Sequence, residues 1–113
     1  AVQQVVSYFK VKLEDIIVVF DDMALPVGQI RLRKSGSSGG QKGMQNIIDL
    51  LHSQDIKRIR VGIGEPQYNA VDYVLGKPLK EELPLVEEAI IRAAEALKEA
   101  LKSNFTKAMS KYN

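Results

Sequence analysis

The chain has 113 residues, 45% of them hydrophobic and 27% charged, with a formal net charge of +2. That length and balance suit one globular domain with enough apolar material for a core. The lack of cysteine excludes a disulfide framework, a thiolate metal site and a thiol nucleophile, and no apolar run approaches the ~20 residues that cross a bilayer. With no secretory pattern in the first residues either, a soluble cytoplasmic protein without a membrane association is expected.

In chain order, "AVQQVVSYF" carries Val2, Val5, Val6 and Phe9 at helical spacing. It lacks an initiator Met, so a fragment of a longer protein is expected. "DIIVVF", Asp15 to Phe20, is a continuous β-branched and aromatic run, apolar on both faces, which predicts a buried central strand in a sheet covered on both sides. Asp21 and Asp22 follow it. "MALPVGQ" supplies the Pro and Gly of a turn, and "QIRLRK" then alternates Ile30 and Leu32 inward with Arg31 and Arg33 outward. "KSGSSGGQKGM", Lys34 to Met44, puts four glycines and three serines into eleven residues. Past it, Met44, Ile47, Ile48 and Leu51 predict a helix with one buried face.

"KRIRVGIG" alternates again, setting Ile59, Val61 and Ile63 against Arg58 and Arg60. If this strand lies near the earlier one, arginines from both converge on one rim of the sheet. Pro66, Asn69 and Pro78 surround a short "VDYVLG" element. "EELPLVEEAIIRAAEALKEALKS" predicts a long amphipathic helix with Pro84 in its first turn and a buried stripe of Val86, Ile90, Ala93, Ala94, Leu97 and Leu101. Its polar face offers the pairs Glu88–Arg92, Glu95–Lys98 and Glu99–Lys102. The tail "NFTKAMSKYN" is left unassigned. Helix, strand, strand, helix, strand, helix, with no repeat and no long linker, implies one α/β or α+β layered domain.

Charge is unevenly spread along this order. Residues 31 to 60 hold seven basic side chains against Asp49 and Asp55, a surplus of five, which leaves −3 for the remainder of a chain whose total is +2. A basic middle favours a phosphate-bearing partner, with a solvated face as the plainer alternative.

Three features are candidates for chemistry. Asp21 and Asp22 stand at the C-terminal end of a strand, where open α/β sheets place their sites. Alternatively they cap the turn before Pro26. Neighbours on an extended backbone point to opposite faces, so at most one is expected to face a site. The fitting task for one Asp is to orient a histidine through its Nδ1–H. His52, the one histidine of the chain, falls at a helix C-terminus, where capping is the expected role, and no metal-ligand spacing surrounds it. The glycine stretch lacks the Gly-Lys-Ser/Thr ending of a P-loop and the Gly-x-Gly-x-x-Gly fingerprint, so a nucleotide cradle is not expected. Its glycines offer backbone N–H groups to a ligand beside a helix N-terminus, as a lip over a substrate.

In order and spacing, "DDMALPVGQIRLRKSGSSGGQKGMQNII", "KRIRVGIGEP" and "VDYVLGKP" resemble the bacterial-type peptidyl-tRNA hydrolases. The shared pattern is an Asp-x-x-x-Leu-Pro-x-Gly turn, a Gly-rich loop, an Arg-x-Arg-x-Gly-Ile-Gly strand and a Tyr/Phe-Val-Leu-Gly-x-Pro element. The resemblance implies a mixed β-sheet flanked by helices, with residues 1–113 forming the C-terminal portion of a single α/β domain. It implies hydrolysis of the ester between peptide and tRNA without a cofactor or metal, by a monomer in the cytoplasm or an organelle. It carries Asp21 onto the aspartate that orients the catalytic histidine, since Asp21 stands four residues before Leu25. It carries Gly39, Gly40, Lys42 and Gly43 onto the groove that receives peptide and tRNA 3′ end, and Arg33 and Arg60 onto a clamp for the tRNA 5′ phosphate.

Two departures stand out. Gln41 and Lys42 replace a usual His-Asn, so Lys42 is a candidate substrate contact of altered chemistry, with RNA phosphate as the alternative partner. The family's catalytic histidine lies in a segment preceding everything present here, so this chain alone is expected to be inactive. A non-catalytic RNA-binding relative, such as an intron-splicing factor acting with a protein partner, is the alternative, and an exposed apolar patch would mark its partner surface. An unrelated α/β domain with a plain glycine connector is the third.

Overall fold

A computed structural model of the chain describes residues 11–65 and 82–113. The expected helix at Val2–Phe9 and the "VDYVLG" element lie outside the described residues. A 3-10 turn at Leu13–Asp15 leads into β1 (Ile17–Asp22), followed by β2 (Ile30–Arg33), α1 (Lys42–Leu51), β3 (Lys57–Gly62), α2 (Leu83–Lys102) and α3 (Phe105–Tyr112). The sheet is mixed and ordered β1-β3-β2, with β1 parallel and β2 antiparallel to β3. This is the mixed, helix-flanked α/β arrangement expected. The centre is β3, however, and β1 is an edge among the described residues, with Val19 47% exposed. Apolar composition reports that a strand is covered; it says nothing of which neighbour lies along its edge.

Each sheet face has its own cover. Ile30, Leu32, Ile59 and Val61 meet Ala89, Ala93 and Ala96 of α2 with Phe105 and Ala108 of α3. On the other face Met44 and Ile48 of α1, with Ile56, take in Val18 and Phe20. The helix period of α2 is as expected but its phase is not. Ile90 is 54% and Leu101 74% exposed, while alanines at 89, 93 and 96 are buried. Small side chains let a helix backbone lie close to the sheet, so the alanine row is seated and the larger residues turn outward. Among the described residues none of the three anticipated polar-face pairs closes to ion-pair distance.

The unassigned tail folds because Asn104 caps it, its Oδ1 accepting from Lys107 N at 2.8 Å, and Phe105 anchors it in the core. Its last residue reaches across to β2: Asn113 Oδ1 accepts from Leu32 N at 2.7 Å and Asn113 Nδ2 donates to Leu32 O at 3.0 Å. The carboxamide thereby pairs backbone groups that β3 does not reach. Where β1 ends, the Leu-Pro turn folds back over β3. A Cβ at Gly62 would collide with the Pro26 carbonyl oxygen, so this close approach requires glycine. Among the described residues no helix is long and apolar enough to cross a membrane.

Candidate active site and anion cavity

The strand end, the glycine loop and the exit of β3 enclose a cleft of about 550 Å3. Its walls are Asp21, Asp22, Met23 and Ala24, then Gly39, Gly40, Gln41 and Lys42, then Ile63 and Glu65. Asp21 is exposed on this cleft. Asp22 is 5% exposed and its carboxylate is engaged on both oxygens. Its Oδ1 accepts from Ala24 N at 2.8 Å and its Oδ2 from Arg60 Nε at 2.7 Å. The capping reading thus holds for Asp22, while Asp21 presents an exposed carboxylate to the cleft.

Gly36, Gly39 and Gly40 have φ of 131°, 62° and 87°, and the space where each side chain would sit is open. The loop is bare because its backbone turns left-handed, not because its surroundings are crowded. Weak hydrogen bonds hold it, from Gly39 N to Ser37 Oγ at 3.4 Å and from Gly40 N to Ser38 Oγ at 3.3 Å. Gln41 caps α1, its Oε1 accepting from Met44 N at 2.6 Å. Lys42, exposed at the first helical position, faces no acidic residue in that turn. A cation beside the positive helix end is locally unfavourable, so an anion or a carbonyl oxygen would be drawn there. Gly43 does not line the cleft; its missing side chain leaves room for the Gln41 carboxamide.

Gly39 also borders a second cavity of about 260 Å3, lined by Phe20, Ser35 to Ser38, Arg33, Arg58 and Arg60. Sheet register builds it. Arg31 pairs with Arg60 and Arg33 with Arg58, placing four arginines on one face, and Phe20 lies beside Arg60 on β1. The expected convergence of two arginine-bearing strands is thus present.

Arg58 departs from expectation. It is 2% exposed and gives every guanidinium nitrogen to backbone carbonyls: Nε to Ile56 at 3.0 Å, Nη1 to Gly36 at 2.9 Å and Ser37 at 2.7 Å, Nη2 to Gln54 at 2.9 Å. Burial first, and Arg60 second, push its pKa below the usual guanidinium value. Arg58 is the internal tie of the glycine loop, and strand alternation alone had grouped it with the outward arginines. The carbonyl-rich, side-chain-poor loop opposite it was the available signal. His52 lies at the far end of α1, left-handed with φ 57°, its N–H closing on Ile48 O. It does not line the cleft. No group of three or more His, Cys, Asp or Glu suited to a metal ion occurs among the described residues.

A family model described as peptidyl-tRNA hydrolase matches residues 1–113. Among curated proteins, the peptidyl-tRNA hydrolase of Thermoanaerobacter pseudethanolicus is 47% identical over 113 residues, covering 100% of this chain and 61% of the relative. That of Syntrophomonas wolfei is 46% identical over 113 residues, covering 100% and 62%. Among solved structures, peptidyl-tRNA hydrolase from Acinetobacter baumannii superposes with a TM-score of 0.85 at 28% identity, covering 97% of this chain and 57% of that one. The chain therefore spans about 61% of the length of the first curated relative.

Proposed function

Because this chain belongs to the peptidyl-tRNA hydrolase family, we propose that the protein carrying it hydrolyses the ester joining a peptide, or an N-blocked aminoacyl group, to tRNA, and so returns the tRNA to translation. The observation that carries this reading is the meeting of Asp21, Gly39, Gly40 and Lys42 around one cleft, with Arg33 and Arg60 in the cavity beside it. Residues 1–113 are read as the C-terminal portion of the domain. The first curated relative, of which this chain covers 61%, supports its being one part of a longer domain.

In this scheme a water attacks the ester carbonyl while a histidine from outside the chain takes its proton on Nε2. Asp21 accepts that histidine's Nδ1–H, fixing the tautomer and stabilising the imidazolium. The tetrahedral intermediate collapses, the imidazolium returns the proton to the departing ribose oxygen, and the peptide leaves as a carboxylic acid that ionises in water. Arg33 and Arg60 hold the tRNA 5′ phosphate by charge-assisted hydrogen bonds. Lys42 contacts the substrate at the lip, where a cation suits a phosphate or a carbonyl oxygen. A monomer working in the cytoplasm fits this scheme.

The test is turnover of an N-blocked aminoacyl-tRNA by the full-length protein and by these 113 residues. Activity is expected in the full-length form alone, and Asp21→Ala there should lower kcat by about 10^3- to 10^4-fold, the scale of losing an orienting carboxylate. Turnover by the short chain, lost on Asp21→Ala, would overturn the division of labour. A non-catalytic RNA-binding relative is the second reading, favoured by the exposed Ile90 and Leu101 on α2 as a partner surface. Full-length protein that binds RNA without hydrolysing the ester would support it.

A further inference from the structure

The four arginines on one face of the β2–β3 pair are not equivalent: backbone carbonyls hold Arg58, and Asp22 holds Arg60. Arg58 is turned inward and 2% exposed, with Nε, Nη1 and Nη2 each donating to backbone carbonyls. Arg60 donates from Nε to Asp22 at 2.7 Å, while its Nη1 and Nη2 make no hydrogen bond to a described residue. Its side chain is 25% exposed against 6% for Asp22. Asp22 is itself immobilised. Its Oδ1 accepts from Ala24 N, and its carbonyl oxygen accepts from Ile63 N at 3.1 Å and Leu25 N at 3.4 Å.

A carboxylate here is electrostatically wrong for an anion cavity. Taken as charge alone, Asp22 weakens attraction for phosphate, and its removal would strengthen it. What the pair supplies is direction: anchoring Nε on a buried, turn-locked carboxylate sets the guanidinium plane, with the terminal Nη donors unpartnered among the described residues. A guanidinium recognises phosphate through that planar fork, not as a point charge. Arg33, the register neighbour of the sequestered Arg58, lines the same cavity.

We infer that Asp22 is the positioning residue of the Arg60 guanidinium, holding it in the orientation that takes an RNA phosphate. This rests on the reading of Arg33 and Arg60 as a phosphate clamp.

The experiment measures the affinity of the full-length protein for tRNA carrying a 5′ phosphate, together with kcat and KM for an N-blocked aminoacyl-tRNA and the Tm of each variant. Asp22→Asn keeps an acceptor for the turn and removes the charge. It should weaken tRNA binding about tenfold although the protein gains positive charge, with the loss falling on KM and not on kcat. In an Arg60→Ala background the same change should cost nothing further. Arg60→Lys leaves the buried carboxylate intact, so it reports even if Asp22→Asn does not fold. It should bind as poorly as Arg60→Ala, because an ammonium drawn to Asp22 presents no fork to the ligand. Affinity raised or unchanged in Asp22→Asn, or wild-type affinity in Arg60→Lys, would sink the inference while leaving the clamp standing. Unchanged affinity in Arg60→Ala would remove the clamp itself, and the inference with it.

Discussion

At residue scale, positions of the same type divide by what their backbone and neighbours demand. Gly39 and Gly40 are needed for conformation in open space, whereas Gly62 is needed for space, because the Leu-Pro turn presses its carbonyls onto β3. Gly62→Ala must push the Pro26 carbonyl away and should cost at least about 3 kcal/mol in denaturant unfolding of the full-length protein. His52 is the opposite case, a side chain in the left-handed region at the end of α1. His52→Gly relieves that strain at some gain in unfolded-chain entropy, and should raise stability by about 0.5 kcal/mol, read as a higher Tm. Asp21 and Asp22 show how adjacent residues acquire different surroundings, one exposed and one buried. Pleating sends them to opposite faces, and the arginine-bearing face captures Asp22.

At element scale the decisive contacts are those that fasten loops and helices to the sheet. Arg58 ties the glycine loop to the turn after α1 through Gly36, Ser37 and Gln54 carbonyls, so that loop is bound from inside and bare outside. Each nitrogen of the buried guanidinium donates to a carbonyl, which is the condition under which such a charge is tolerated. Helix α2 is fastened by its alanine row. Ala96 is completely buried in that seat. Ala96→Leu should therefore destabilise by about 1–3 kcal/mol through overpacking, whereas Leu101→Ala, on the outward side, should stay within about 0.5 kcal/mol in thermal unfolding of the full-length protein. The reverse ranking would mean that the larger residues form the seat.

At the scale of the whole molecule, the register of the described strands brings Arg33, Arg58 and Arg60 to one hollow that adjoins the cleft lined by Lys42. If that surface takes tRNA phosphates, binding weakens with salt in proportion to the contacts made. Arg33→Ala and Arg60→Ala should each reduce the slope of log K against log salt by about 0.7–0.9. An unchanged slope in both variants would move the RNA path elsewhere. Much of this molecule was legible in the residues alone: the three described strands, the helix after the glycine loop and the helix with Pro84 in its first turn, the alternation that buries Ile30, Leu32, Ile59 and Val61, and the motifs of the family. Those features follow from local periodicity and turn chemistry, which act over a few residues and are written in consecutive positions. Tertiary structure alone decided that β3 is central, that α2 rests on alanines, that Arg58 is consumed by the glycine loop and that Asp22 holds Arg60. Each of these joins residues far apart in the chain, and each is settled by competition among like side chains for one space, one carbonyl or one carboxylate.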